Sequence, residues 1–387
     1  MTHKILMAGG LHWNSPSQVG SHHIAKGFAN NGWKVGFLSD PISPLHLLHG
    51  INPELSDRWE VYRNGGKLEY DDRIWCYVPA AFFTPNNRPL LRSAWLQRHW
   101  NQLTFPPILH RIKQNGFDSV DILYLCNAND LYLLDKIDFK KSVYRIADYN
   151  SGLPKSTPAS REAEKEIASK VDVVLYTAKN LEGYVNSLNP RTSFYFPNGV
   201  DYKHFANGSS LVPQELEQIK KPIALYVGAM FDWFDFELIN QTARKLPEIS
   251  FVFIGRDDLA KKRLMNLPNI HILGVKSFNE LPAYIHNADV GVIPFDINNH
   301  ADLLNSVNPL KLYEYMAGGL PVLSVDWKEM QIMNTPAILY RDLDDFITKI
   351  KEICNQENSN KQDLLTFASQ HDWGKQVENL LTYCQLD

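Results

Sequence analysis

Ser306-Val307-Asn308-Pro309-Leu310-Lys311-Leu312-Tyr313-Glu314-Tyr315-Met316-Ala317-Gly318-Gly319-Leu320-Pro321-Val322-Leu323-Ser324 reads as a polar loop, a short helix, a Gly-Gly break, a proline and an apolar strand. Pro309 suits the first turn of a helix, where its missing N–H costs nothing. Lys311 and Glu314 stand one helical turn apart and share a face. Lys311 falls in the first turn, where a cation meets the positive end of the helix dipole. A cation there calls for a counter-anion, and free N–H groups at a helix N-terminus bind phosphate. Glu314 is then set to accept hydroxyl hydrogen bonds, as from a ribose. Two readings stand open: a grip on a ribosyl diphosphate, or an ordinary ion pair on a solvated helix face.

Working outward, short apolar runs alternate with helical patterns. Expected strands are Lys4–Ala8, Lys34–Leu38, Ile74–Val78, Ile122–Cys126, Ser142–Ile146, Val171–Tyr176 and Ser193–Phe196 in the first half. The second half offers Ile223–Val227, Ser250–Ile254, Ile270–Leu273, Val290–Pro294, Pro321–Val325 and Ala337–Leu339. Continuous Val/Ile/Leu/Phe runs between helices mark buried parallel strands. Two such series predict an α/β chain with two Rossmann-like doubly wound parallel-sheet domains facing across a cleft. The expected division is 1–205, 206–365 and a terminal helix over 366–387. The stretch Pro197-Asn198-Gly199-Val200-Asp201 closes the first series, with Asn198-Gly199 read as a turn.

Composition excludes several classes. A 387-residue chain with 44% hydrophobic residues has ample material for packed cores and is not a disordered chain. A net charge of −4 is not that of a general nucleic-acid binder. The four cysteines, Cys76, Cys126, Cys354 and Cys384, form no C-x-x-C pair and suit a reducing compartment. With no long apolar segment, the expected place is the cytoplasm, peripheral on the inner face of the cell membrane. No strand is followed by G-x-G-x-x-G, and no Walker loop, G-x-S-x-G elbow or H-E-x-x-H occurs.

The segment from Pro309 to Val322 resembles the nucleotide-binding motif of GT-B glycosyltransferases, Pro-x-Lys-x-x-Glu-x-x-Ala-x-Gly-x-Pro-Val, with every position filled. Retaining members often carry an acid eight residues before the Glu; that position here is Ser306. The run Gly228-Ala229-Met230-Phe231-Asp232 and the context of Asp148 in Tyr144-Arg145-Ile146-Ala147-Asp148 resemble the xanthan-type inverting glucuronosyltransferase group. The resemblance implies a UDP-sugar donor, with UDP-glucuronic acid as a candidate, and a lipid-linked or saccharide acceptor in bacterial envelope polysaccharide synthesis. It implies no cofactor and no metal. Lys311 would neutralise the leaving diphosphate, and Glu314 would hold the ribose. Asn308 and Leu310 would frame the same nucleotide site. The alternatives are a nucleotide-sugar epimerase of this architecture and a non-catalytic sugar-nucleotide-binding protein.

Other candidates lie at strand edges, where open α/β sheets bind ligands. Gly228 permits close backbone approach. Met230 either borders the base or packs in the core. Arg256 either pairs with phosphate or opens a solvated helix. Val275 and Lys276 follow another strand and resemble the loop that meets the base. In the first half, Asp148 is the candidate general base, set against an Asp that merely starts the next helix. His12 and His22, with His23, are candidates for phosphate or acceptor hydroxyl, set against structural histidines. Ser21 is the expected N-cap of the helix that carries them. Arg88 to Lys113 contains five basic residues and no acid, interleaved with Trp95, Trp100 and Phe105. That pattern suits an anionic membrane surface.

Overall fold

The apolar runs become parallel strands because helices cover both of their faces. The computed structural model describes residues 2–47, 52–153, 155–355 and 361–385. Contacts divide the chain into two units. The first comprises residues up to Pro197 together with those from Gln376 onward, and the second is Asn198–Lys375.

The first unit holds an eight-stranded sheet. Its strands are β1 (Lys4–Gly10), β2 (Lys34–Ser39), β3 (Lys67–Glu69), β4 (Ile74–Tyr77), β5 (Ser119–Leu125), β6 (Asp138–Ile146), β7 (Val173–Tyr176) and β8 (Ser193–Tyr195). They lie in the order β3-β4-β2-β1-β5-β6-β7-β8. All pairs are parallel except β3–β4, where Leu68 faces Trp75. β3 escapes the sequence reading because Lys67-Leu68-Glu69 is too short and polar to register as a buried run. It is defined by its partner: Gly66 (φ +114°) passes so close to Trp75 that an added Cβ would lie 2.1 Å from the indole Nε1. Leu6, Tyr77, Leu123, Tyr144 and Val174 belong to the core of this unit.

The helix Gly20–Asn30 begins differently from the expectation. Val19, not Ser21, is the N-cap. The Val19 N–H donates to Nδ1 of His22 at 3.2 Å, and the Ser21 hydroxyl donates to the Gly9 carbonyl at 3.0 Å. Ser21 therefore ties the first turn to the end of β1 instead of capping the helix.

The second unit holds six parallel strands: β9 (Ile223–Val227), β10 (Ser250–Ile254), β11 (Ile270–Gly274), β12 (Val290–Ile293), β13 (Val322–Val325) and β14 (Ile338–Tyr340). Their order is β11-β10-β9-β12-β13-β14. The winding reverses between β9 and β12 here, and between β1 and β5 in the first unit. Such reversals open crevices at the carboxyl ends of the strands.

Asn198-Gly199 is not an isolated turn. Val200 donates to the His371 carbonyl at 2.9 Å, and Trp373 donates back to Val200 at 3.0 Å. A Cβ on Gly199 would lie 2.5 Å from the His371 oxygen. This pairing assigns residues 198–205 to the second unit, so the division falls at 197/198 and not at 205/206. The helix Trp373–Tyr383 closes the described chain, and Tyr383 stacks on Phe194 with ring centres 4.2 Å apart. No helix among the described residues is long and apolar enough to cross a membrane.

Candidate functional site

In the second unit, the helix Leu310–Ala317 is drawn against the sheet at its switch point. The Val227 N–H donates to the Tyr315 hydroxyl at 2.7 Å. Gly291 of β12 makes this possible, since a Cβ there would lie 2.4 Å from the Tyr315 ring. Lys311, one turn earlier, thereby arrives over the ends of β9 and β12. Its Nζ lies 4.9 Å from the ring centre of Tyr226 and 5.0 Å from that of Phe295. Aromatic faces attract a cation without neutralising it.

Three glycines step across the neighbouring strand ends. Gly228 (φ +143°), Gly255 (φ +136°) and Gly274 (φ +69°) follow or end β9, β10 and β11. A Cβ on Gly228 would lie 3.1 Å from Lys311 Cε, and one on Gly255 would lie 2.1 Å from the Gly228 carbonyl oxygen. Gly228 N–H donates to Ile254 and Gly255 N–H to Gly274, both at 2.8 Å. At this edge glycine backbone lies beside the Lys311 ammonium, with the Tyr226 hydroxyl near Gly228 and the Asp257 carboxylate near Gly274.

Lys311 and Glu314 do not form a solvated surface pair. Both are half-buried, and among the described residues they make no ion pair with each other. Burial pulls the Lys311 ammonium down to about 8, with the Glu314 charge opposing. Burial pushes the Glu314 carboxyl up to about 7, with the Lys311 charge opposing. An anion at Lys311 would relieve the first of these costs.

The remaining donor-site candidates separate. Asn308 is buried; its Oδ1 accepts from the Tyr313 hydroxyl at 3.0 Å, and its carbonyl accepts from Asn198 Nδ2 at 2.6 Å. Pro309 is the N-cap, not a first-turn residue, and Leu310 opens the helix. Met230 is 1% exposed and belongs to the apolar core. Arg256 lies at the surface with its Nε 3.0 Å from Asp258. Lys276 pairs with Glu215 at 2.5 Å, and the Tyr284 hydroxyl bonds the same carboxylate. Val275 is exposed.

In the first unit, His12 follows β1 and is buried. Its Nε2 lies 2.5 Å from Asp57, which also accepts from Asn14 at 3.1 Å. Partial burial raises the Asp57 pKa, but these hydrogen bonds prevail and hold the carboxyl below its usual range. His22 uses both ring nitrogens on backbone, accepting from Val19 and donating to the His12 carbonyl at 3.0 Å. Burial, helped by the Lys26 charge, pulls its pKa down to about 4. His22 is thus a neutral strut under the His12 loop.

Asp148 stands at the end of β6 and is half-buried. Burial raises its pKa, while the Arg145 and Lys155 charges oppose. The Thr177 hydroxyl pins the turn through the Ala147 carbonyl at 2.6 Å. The next helix, Pro158–Lys170, is capped by Thr157, whose hydroxyl accepts from Ser160 at 3.0 Å. Asp148 is therefore not a helix cap.

Sequence reasoning missed Asp57 and Glu164. Asp57 lies mid-helix in Pro53–Arg63, with nothing in its spacing to single it out. Glu164 is 2% exposed and accepts from Tyr144, Asn150 and Tyr184. Trp100 leaves the proposed basic-aromatic surface: it is buried, and its Nε1 donates to the Asn129 carbonyl at 2.7 Å. Arg98 pairs with Glu166 at 2.6 Å. Phe82, Phe83, Leu90, Trp95 and Phe105 are the exposed apolar groups of this region.

Residues 7–177, which include His12, Asp57 and Asp148, match the family model of the glucuronosyltransferase GumK N-terminal domain. Residues 221–356, which include Gly228, Lys311 and Glu314, match that of glycosyl transferases group 1. The chain has the GT-B fold, and each of its halves matches a glycosyltransferase family model. It is 26% identical over 197 residues to a protein of Bacillus subtilis (strain 168) named "Putative teichuronic acid biosynthesis glycosyltransferase TuaH". That match covers 48% of this chain and 49% of TuaH, so the chain spans about half the length of this curated relative. Two solved structures share the whole fold. Sucrose-phosphate synthase of Thermosynechococcus elongatus superposes with a TM-score of 0.70 at 15% identity, covering 98% of each chain. HepE of Anabaena, solved with UDP and glucose, gives 0.66 at 13% identity over 99% of each.

Proposed function

We propose that this chain moves a sugar, with glucuronic acid favoured, from its UDP conjugate to a hydroxyl of a lipid-linked or saccharide acceptor in bacterial envelope polysaccharide synthesis. The observation that carries the reading is Lys311, an ammonium with no ion pair among the described residues, at the β9/β12 switch point beside the glycine turns of β9 to β11. It is a place for a diphosphate. Glu314, one turn further, accepts from the ribose. The GumK-type first domain, the teichuronic acid connection of TuaH and the UDP of HepE support the choice of donor and pathway class.

In the inverting reaction, Asp148 takes the proton of the acceptor hydroxyl. The acceptor oxygen bonds to the anomeric carbon, and the bond from that carbon to the UDP oxygen breaks. Burial makes Asp148 a stronger base than a solvated carboxylate. Lys311 neutralises the departing diphosphate, the kind of charge stabilisation that dominates many rate enhancements. His22 holds the His12 loop at the edge of the same sheet. The exposed Phe82, Phe83, Leu90, Trp95 and Phe105, with Arg88 and Arg92 among them, support a peripheral contact with an anionic membrane.

Calorimetric titration of UDP into the wild-type chain and Lys311→Ala tests the donor site, and transfer from UDP-glucuronic acid, UDP-glucose and GDP-mannose tests the donor sugar. Equal UDP affinity in both proteins would remove the basis of the reading.

A further inference from the structure

The chain on either side of Asp148 is fastened to the rest of the first unit. Before it, the Thr177 N–H donates to the Ile146 carbonyl at 3.2 Å, and the Thr177 hydroxyl donates to the Ala147 carbonyl at 2.6 Å. After it, the single turn Asn150–Gly152 closes tightly, since a Cβ on Gly152 would lie 2.5 Å from the Tyr149 ring. Asn150 is one of the amides, with Asn127 and Asn129, that line the carboxyl edge of β5 and β6.

The strut beneath this turn is Glu164. It lies in the helix Pro158–Lys170 and is 2% exposed. Its Oε1 accepts from the Tyr144 hydroxyl at 3.1 Å and from Asn150 Nδ2 at 2.7 Å, and its Oε2 accepts from the Tyr184 hydroxyl at 2.7 Å. Tyr144 precedes Asp148 by four residues and Asn150 follows it by two. One carboxylate therefore grips the chain on both sides of the candidate base. Tyr184 extends the grip. Its proton goes to Glu164, so its oxygen accepts from the Ser151 hydroxyl at 2.9 Å. Its ring also meets that of Tyr149 edge-on, with centres 4.9 Å apart. Tyr149, Asn150 and Ser151 thus all reach Glu164, directly or through Tyr184.

A carboxylate taken out of water is costly unless hydrogen bonds satisfy it. Packing alone would be served by an apolar residue on this inner helix face. What the carboxylate adds is direction, because its two oxygens fix three donors at once. The charges that face Asp148 are those of Arg145, from β6, and Lys155, from the loop before the next helix. Glu164 acts through the turn and not through its charge.

We infer that Glu164 is a positioning residue: through Asn150 and Tyr184 it holds the turn that sets the place of the Asp148 carboxyl and its access to water. The inference rests on the transferase reading above, in which Asp148 is the base.

The test is an NMR titration of isotope-labelled aspartate carboxyls in the full chain, with the Asp148 signal identified by its loss in Asp148→Asn. Burial raises the Asp148 pKa in the intact chain. Asn150→Leu cuts the tie while leaving Glu164 with its two tyrosines, and Glu164→Leu removes the strut. In both, the Asp148 midpoint should fall toward the ordinary carboxylate range by about half a pH unit or more, as water reaches the carboxyl. Should Glu164→Leu fail to fold, Asn150→Leu carries the test. Glu164→Gln keeps an oxygen for Tyr144 and Asn150 and offers Tyr184 an NH₂, so it should titrate as the wild type does. Thr157→Ala removes the cap of the same helix; it should lower the melting temperature and leave the midpoint in place. UDP release from UDP-glucuronic acid, with water or an added saccharide as acceptor, should slow roughly tenfold in Asn150→Leu at unchanged UDP affinity. A midpoint that stays or rises in Asn150→Leu overturns the inference, as does an equal shift in Thr157→Ala or in Glu164→Gln. So does UDP release that Asp148→Asn abolishes and Asn150→Leu leaves unchanged. Failure of the transferase reading looks different: the midpoint still moves, but Asp148→Asn releases UDP as fast as the wild type.

Discussion

The carboxyl edges of the two sheets carry opposite chemistries on one architecture. The edge of β9, β10 and β12 is built of positive-φ glycines, the rings of Tyr226 and Phe295 and the ammonium of Lys311. The edge of β5 and β6 is lined with amides and holds the half-buried carboxylate of Asp148. In the proposed reading a diphosphate meets the Lys311 cation over closely approaching glycine backbone, where larger side chains would stand in the way. A hydroxylated acceptor needs donors, acceptors and a base, which only side chains supply. The lesson is that a doubly wound sheet specifies where a ligand sits, while residue type at the strand ends specifies which ligand.

The contrast can be broken most sharply at Asp148. Asp148→Asn should lower kcat by about 10²–10⁴-fold and leave UDP affinity unchanged, as measured by initial rates and calorimetry. A matching loss of UDP affinity would erase the division of labour between the edges.

Next comes Lys311→Met. Removing one partner of a desolvated charge contact typically costs ~2–5 kcal/mol, so UDP affinity should drop by roughly 30- to 5,000-fold. The same substitution should raise the melting temperature of the UDP-free chain by a few degrees, because it removes a half-buried ammonium whose desolvation outweighs the opposing Glu314 charge. A melting temperature that falls instead would argue for a structural lysine.

Gly255→Ala probes the glycine backbone. Its Cβ would meet the Gly228 carbonyl oxygen at a positive φ, at a cost of about 1–3 kcal/mol. Denaturant titration should register that loss, together with weaker UDP binding.

Acidity sharpens the comparison further. Lys311, pulled down to about 8, must be protonated to meet the diphosphate. UDP affinity should therefore fall about tenfold per pH unit above that point, a slope absent in Lys311→Met. The stability contribution runs the other way. Between the folded value of about 8 and the ordinary 10.5, the unfolded chain binds the proton more tightly than the folded one. The Lys311 contribution to stability therefore rises with pH across that window. It is fully present above the ordinary value and lost as the pH falls through about 8.

The smallest effect is expected at Arg256. Its exposed pairing with Asp258 makes Arg256→Ala change UDP affinity by less than about twofold, since surface pairs contribute ~0–1 kcal/mol.

The chain's own order of residues determined the α/β class, both parallel series and the Pro309–Val322 motif, because buried strands and helix starts are written in local patterns that neighbours a few positions away enforce. The strand β3 stayed hidden, since three mostly polar residues become a strand only when Trp75 and Gly66 hold them. So did the Asp57 partner of His12 and the Glu164 strut, whose contacts cross 45 and 14 to 20 positions of chain. The fates of Ser21, Met230 and Trp100 were also undecided, because polarity and aromaticity suit a cap, a site or a core alike. Burial and hydrogen-bond partners made those choices. They depend on which distant segments the sheets bring together, a property that no short window of sequence contains.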